Sequence, residues 1–168
     1  MPHLSNDKNS KNTDFKPAGL PTLIGSLPVA NHEEALNMIF EHTPDIPLWP
    51  QLPSNRLEGM LNQFIEGFPG VVETDERTYF NINADGFAEE QLAFFEQYLE
   101  ATEDPEKLSS SVFKISRKRA QGLYGLYDAV KEKQAVVAVK GQITGPFTML
   151  TGNGFDRVRC GTRFLWDG

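Results

Sequence analysis

The chain has 168 residues, of which 39% are hydrophobic and 23% are charged, and its formal net charge at pH 7 is −7. This length suffices for one domain with a hydrophobic core, and the acidic balance argues against nucleic acid as a partner. No apolar run approaches the roughly 20 residues of a membrane span. A single cysteine, Cys160, excludes an internal disulfide framework and fits a reducing compartment. We therefore expect a cytoplasmic protein that binds neither nucleic acid nor a membrane.

The N-terminal region is predicted to contain a polar leader, a strand and a helix. Residues 1–19 lack the apolar middle of a secretory signal, which predicts a disordered leader. Residues 22–28 predict a short apolar strand that ends in a Gly-Ser turn. A helix is expected over residues 33–42, with Asn31 as its N-cap.

A proline-rich segment follows at residues 46–53. Its three prolines exclude a regular helix and a central antiparallel strand, and they predict a short strand opening into a rigid loop that holds Trp49 and Gln51. Apolar residues at helical spacing then predict a helix over residues 57–65, ended by the Gly-Phe-Pro-Gly segment at 67–70.

The middle of the chain predicts a hairpin and two helices. Residues 71–74 and 78–82 flank a polar turn, which is typical of a β-hairpin. An amphipathic helix is predicted from the 4-3-4 spacing of Ala88, Leu92, Phe95 and Leu99. A longer helix over 116–133 has glycines at 122 and 125 that would allow close packing. Its predicted buried stripe consists of Ala120, Leu123, Tyr127 and Val130.

A junction of strand, loop and helix is predicted at residues 135–150. Residues 135–139 form a β-branched run typical of a strand buried on both faces. Gly141 and Gly145 indicate a loop, and Pro146 favours the first position of a helix. Such junctions bind ligands in parallel α/β proteins, and free N–H groups there suit a carboxylate or phosphate. The alternative is that Thr144 merely caps the helix.

The order of these elements predicts a parallel α/β architecture, but the chain is too short for a complete eight-stranded barrel of about 250 residues. Residues 152–168 have neither helical nor alternating periodicity and are rich in arginine. We interpret them as an aberrant ending, from truncation or out-of-frame read-through. An ordinary irregular C-terminal extension is the alternative.

Three segments carry a resemblance to a known superfamily. Residues 22–28, 47–53 and 140–148 are similar to the N-terminal half of the uroporphyrinogen decarboxylase / cobalamin-independent methionine synthase-like superfamily. The resemblance implies the N-terminal half of a (β/α)8 TIM-type barrel over residues 20–151, with the hairpin as an excursion. It would lie between the leader and the irregular tail.

The resemblance also implies a chemistry. Members decarboxylate porphyrinogens, or transfer methyl groups between a thiol and a folate or corrinoid. The methyltransferases bind zinc through a His-x-Cys pair and a further cysteine in their C-terminal half, and this chain has no counterpart. Val158 stands two residues before Cys160, so we assign no zinc role to that cysteine. The aspartate and the arginine motif of the decarboxylases have no convincing match either, which lowers the decarboxylase alternative.

Candidate substrate-binding residues follow the ends of the predicted strands, where barrel enzymes place their sites. We predict that substrate contacts come from Gly25, Ser26, Trp49, Gln51, Gln142 and Thr144. Each has a structural alternative, such as a turn for the Gly-Ser pair and a packing anchor for the tryptophan. Lys140 either reaches the mouth of the site or extends to solvent. No catalytic residue is assigned.

These observations predict a partial methyltransferase-like protein that is inactive alone. Zinc, and a corrinoid or folate, are implied only for a full-length relative with a small-molecule substrate. The alternatives are a decarboxylase-like relative and a non-catalytic half-barrel that binds a partner chain. Open sheet edges invite pairing, so a homo-oligomer is a further expectation.

Overall fold

Two units, each made from two separate stretches of chain, form the structure. It is a computed structural model that describes residues 16–133 and 136–152, without the side chains of residues 150–152. Unit 1 comprises Met1–Asn55 and Ser116–Gln142, and unit 2 comprises Arg56–Ile115 and Ile143–Gly168. Most of the predicted leader and nearly all of the predicted tail lie outside the described residues, so the predicted domain boundaries stay predictions.

Unit 1 contains two helices that pack on each other, α1 (His32–His42) and α3 (Gln121–Lys131). Helix α1 starts where the capping pattern predicts, because the Asn31 side chain accepts a hydrogen bond from the backbone N–H of Glu34 at 2.9 Å. The core beside α1 is formed by Leu27, Ala35, Ile39, Leu48 and Leu52.

Helix α3 differs from its prediction in start and in orientation. It begins at Gln121, after a turn at residues 117–119. Gly122 and Leu126 are buried, whereas Tyr127 of the predicted stripe is exposed. The predicted role of the glycines is confirmed: a Cβ at Gly122 would lie 2.0 Å from the carbonyl oxygen of Pro50.

The predicted N-terminal half of a TIM-type barrel is wrong. In the described ranges, the strands are two short antiparallel ones, and no eight-fold barrel is visible. The three segments predicted as parallel strands are joined by isolated parallel bridges, Ser26 to Gln51 and Leu48 to Lys140. The prolines at 47, 50 and 53 supply no N–H, so the middle segment cannot extend either ladder.

The predicted strand at 135–139 is also not buried on both faces. Residues 134 and 135 lie outside the described ranges, and Val137 and Val139 are 54% and 50% exposed. The backbone N–H groups of Val137 and Ala138 both donate to the carbonyl of Asp45, at 2.9 and 3.2 Å. Sharing one acceptor interrupts the regular alternation that a parallel ladder requires.

Unit 2 begins with two short 3-10 helices, Arg56–Glu58 and Asn62–Phe64, where the sequence predicts one helix over 57–65. Gly59 lies between them, at the kind of position where glycine disfavours a continuous helix. The predicted hairpin is present in a shorter form. Its strands are β1 (Val71–Glu73) and β2 (Thr78–Phe80), which pair antiparallel.

The longest helix of unit 2 is α2 (Phe87–Glu103), and a 3-10 helix, Pro105–Ser110, follows it. Phe94 of α2 is half-buried, and its ring centroid lies 5.1 Å from those of both Phe68 and Phe113. The structure also contains α4 (Pro146–Gly152), which starts at the predicted proline.

Candidate functional site

The carboxamide of Gln142 is the centre of a polar cluster in unit 1. Its Oε1 accepts a hydrogen bond from the backbone N–H of Gly25 at 3.2 Å. Its Nε2 donates to Oε1 of Gln51 at 2.5 Å and to the carbonyl oxygen of Trp49 at 3.5 Å. One side chain thus joins the three segments that carry the family resemblance.

Backbone hydrogen bonds fix the positions of these groups. The N–H of Gln51 donates to the carbonyl of Gly25 at 2.8 Å, and the N–H of Leu27 donates to the carbonyl of Gln51 at 3.2 Å. The N–H of Trp49 donates to the carbonyl of Lys140 at 3.1 Å. The segment that carries Gln51 is therefore hydrogen-bonded through its backbone both to the segment of Gly25 and, at Trp49, to the segment of Gln142.

The Gln142 side chain occupies the space that a side chain at residue 25 would take. A Cβ on residue 25 would lie 1.6 Å from Nε2 of Gln142, well inside any real contact. The buried glycine is therefore required for the present position of the Gln142 carboxamide, which a side chain at residue 25 would displace. This requirement appears only once the fold brings residues 25 and 142 together.

The cluster is neutral and offers both donors and acceptors. Gln51 and Gln142 are half-buried, so part of each residue is accessible to solvent, and Ser26, which bridges to Gln51, is exposed. The Trp49 side chain is buried, which makes its ring part of the packing. A primary amide presents an acceptor oxygen beside a donor nitrogen, so an amide released from its present hydrogen bonds could bind a polar edge with the reverse pattern.

Five of the six predicted site residues are thus brought together in unit 1. The sixth, Thr144, belongs to unit 2, where its hydroxyl donates to the carbonyl of Met60. The Lys140 side chain is half-buried rather than extended to solvent. Its Nζ donates to the carbonyl of Leu23 at 2.6 Å and ties the first and third extended segments together.

Unit 2 contains a cavity of about 290 Å³ that sequence reasoning missed. Aromatic and aliphatic side chains dominate its wall, and Gln63, Glu66 and Lys114 supply the polar groups. The apolar lining consists of Phe64, Phe68, Phe94, Val112, Phe113, Ile115, Ile143 and Met149. Twelve phenylalanines in the chain are the only sequence signal of this cavity, because its wall is assembled from four separate stretches.

The described residues do not fit a zinc site. Within residues 16–133 and 136–152 no three histidine, cysteine, aspartate or glutamate side chains are grouped so that they could hold a metal ion. Cys160 lies outside those ranges, and His32 and His42 stand at opposite ends of α1. No helix in the described part of the chain is both long and apolar enough to cross a membrane.

The resemblance therefore depends on residues 22–28, 47–53 and 140–148 and on the cluster that parts of all three form in unit 1. Comparisons of the chain with protein-family models, with curated proteins and with solved structures found no match.

Proposed function

We propose that unit 1 binds a small polar substrate of methyl-transfer chemistry at the Gln142 cluster, and that the chain does not catalyse the transfer alone. The observation that carries the proposal is the convergence of the three segments of the resemblance on one carboxamide. Gln142 joins Gly25 and Gln51, which are 117 and 91 residues away in sequence.

The donor and acceptor pattern favours a folate as the ligand. The pterin ring of a folate carries a donor beside an acceptor along one edge, which is the pattern that a primary amide complements. A ligand of this kind would replace the hydrogen bond between Gln51 and Gln142 with two of its own. Because the ligand also gives up its hydrogen bonds to water on binding, the total number of hydrogen bonds changes little. Affinity would therefore come from the added ring contacts.

Catalysis by this chain alone is not part of the proposal. The methyltransferases of the superfamily activate their thiol with zinc, and neither the described side chains nor the spacing around Cys160 matches that ligand set. Decarboxylation is a weaker alternative, because the aspartate and the arginine motif of that branch have no convincing match among residues 20–151.

The test is a binding titration with 5-methyltetrahydrofolate. Trp49 lies beside the cluster and Trp166 is the second tryptophan, so a Trp166→Phe background leaves one reporter. We expect saturable quenching of Trp49 fluorescence. Gln142→Ala is expected to weaken binding by about tenfold, in line with about 1–1.5 kcal/mol for a lost neutral hydrogen bond.

Gln91→Ala is the matched control, because it removes an exposed glutamine of unit 2 and should leave the titration unchanged. Equal binding by the Gln142→Ala and Gln91→Ala variants would refute the proposed site. Methylcobalamin and homocysteine, titrated in parallel, distinguish a corrinoid or a thiol ligand from a folate.

A second candidate function is binding of a small apolar ligand in the cavity of unit 2. The cavity of about 290 Å³ is near the lower end of the range for small-molecule sites. The amphiphilic anion 8-anilinonaphthalene-1-sulfonate suits its apolar wall and Lys114. We expect its fluorescence to rise on binding, and Ile143→Asp to weaken that binding by repulsion of the sulfonate.

Ile24→Asp is the control for this titration, because Ile24 is 79% exposed in unit 1 and Ile143 is 80% exposed in unit 2. If both substitutions weaken the probe equally, the fluorescence reports general surface binding and the cavity has no such role.

We further propose a cytoplasmic location, because one cysteine in 168 residues suits a reducing compartment.

Self-association is also proposed, through the edge of the segment that exposes Val137 and Val139. Sedimentation velocity of a Val139→Lys variant tests it: we expect fewer oligomers than in the unchanged chain. An unchanged distribution would refute pairing at this edge.

A further inference from the structure

Helix α2 has two apolar stripes, and only one of them faces the rest of unit 2. The inner stripe is Phe87, Phe94 and Ala101, with Ala101 buried and both phenylalanines half-buried. On the same side, the carboxylate of Glu90 accepts a hydrogen bond from the N–H of Gly70 at 2.8 Å. These contacts fix the rotation of the helix about its axis.

The outer stripe is left exposed by that rotation. Leu92, Phe95 and Leu99 are 62%, 53% and 59% exposed, and Ala88 is exposed as well. We call these four residues the seam. Their 4-3-4 spacing is that of the d, a, d and a positions of a coiled coil, and their side chains lie along one line of the helix.

Glutamates border the seam at every e position. With Leu92 and Leu99 at a, the e positions are Glu89, Glu96 and Glu103. Helix α2 contains five glutamates and no lysine or arginine. Glu103 stands in the last turn, where the helix dipole disfavours an anion, so helix stability does not explain the whole row.

We propose that the seam binds a basic amphipathic helix of a partner protein, with apolar side chains on the seam and lysine or arginine facing the glutamate row. Charge complementarity selects this occupant over a second copy of the chain. Two α2 helices in antiparallel pairing would bring their glutamate rows together, and in parallel pairing the rows would meet Gln91 and Tyr98, which carry no positive charge.

The length of α2 fits such a partner. Its 17 residues span about 26 Å, or nearly two and a half heptads. That is short for an independent coiled coil, but α2 is already held in place by its inner stripe. The partner helix therefore binds a preformed surface, which lowers the entropic cost of association.

The test uses two synthetic three-heptad peptides with leucine at a and d. One carries lysine at e and g, and the other carries glutamate there. We expect the lysine peptide to bind the full chain at least about tenfold more tightly than the glutamate peptide by isothermal titration calorimetry. Leu92→Asp should reduce that affinity by at least about tenfold with an unchanged circular dichroism spectrum, since residue 92 is exposed.

Charge reversal separates a specific seam from general attraction to an acidic protein. The triple variant Glu89→Lys, Glu96→Lys and Glu103→Lys should prefer the glutamate peptide. A control triple, with lysine in place of the exposed residues Glu41, Glu76 and Glu132, changes the net charge equally and should keep the original preference. Equal losses in the two triples would overturn the proposal.

Three other results would also overturn it. No binding of the lysine peptide is the first. The second is a dimer in sedimentation velocity that Leu99→Asp dissolves, since this would make a second copy the occupant. The third is displacement of the lysine peptide by an equal concentration of a peptide with residues 153–168, which would make the chain's own arginine-rich segment the occupant.

Discussion

Gly122 gives the sharpest test of the packing in unit 1, because we expect alanine to destabilise the protein there but not at Gly125 of the same helix. At Gly122 an added Cβ would lie 2.0 Å from the carbonyl oxygen of Pro50, a buried backbone group. At Gly125 the nearest atom to an added Cβ is Cδ1 of Leu36, at 3.0 Å. The first contact is with backbone, and the second is with the end of a flexible side chain.

The difference in free energy follows from these distances. At Gly122 the proline must move by more than 1 Å to reach ordinary contact, and overpacking of this kind costs about 1–3 kcal/mol. The gain in helix propensity from glycine to alanine is about 1 kcal/mol in a helix interior, where Gly125 lies, and it is smaller at Gly122 in the first turn. We expect Gly122→Ala to destabilise by about 1–2 kcal/mol and Gly125→Ala to be neutral or to stabilise by up to about 1 kcal/mol.

Urea unfolding in the Trp166→Phe background measures the difference, because the fluorescence of the buried Trp49 reports on unit 1. With a urea dependence of about 2 kcal/mol per molar, the two midpoints should differ by about 1 M. A Gly122→Ala variant as stable as Gly125→Ala would refute the close approach of α3 to Pro50. An unchanged urea dependence in both variants confirms that the native states are compared like for like.

Further substitutions test single contacts in each unit. Asn31→Ala should lower the free energy of unfolding by about 1 kcal/mol in thermal circular dichroism, whereas Asn31→Asp keeps the cap; equal losses would contradict the cap. Lys140→Met should lower the free energy of unfolding by about 1.5–3 kcal/mol, measured by Trp49 fluorescence, because it removes a hydrogen bond from a charged group to the Leu23 carbonyl; an unchanged free energy would contradict that bond. Phe94→Ala should cost about 2–3 kcal/mol and speed hydrogen exchange in α2, and unchanged exchange would contradict the aromatic cluster.

The elements predicted correctly are those that depend on residues close together in the sequence. The side chain of Asn31 caps α1 within a few residues of sequence, and Pro146 starts α4 as its ring geometry favours. The hairpin needs only the pairing of Val71 with Phe80 around a short turn. Each of these predictions depended on residues less than about ten positions apart, and each is confirmed.

The predicted strands failed because a ladder depends on what lies beside it. Residues 136–139 have the composition of a buried strand, yet Val137 and Val139 face solvent. Lys140, which follows them, is bridged to Leu48 of the proline-rich segment. That segment has backbone N–H donors only at the residues between its prolines. The candidate site residues stay a prediction, but the structure brings five of them together because each of the three segments contributes a residue to the Gln142 cluster, whether or not the segment is a strand.

Helix α2 shows why periodicity identifies an apolar face without telling what covers it. Leu92, Phe95 and Leu99 follow the 3-4 spacing typical of an apolar helix face. The inner stripe consists of only two phenylalanines and one alanine, which lie seven residues apart. The inner stripe is buried because Phe94 finds Phe68 and Phe113. An exposed apolar stripe of this kind would promote aggregation unless a neighbouring feature opposed self-association. The glutamate row opposes antiparallel pairing with another copy by charge, and under our proposal the same row attracts a basic helix, so one feature of the sequence would act against self-pairing and select the partner.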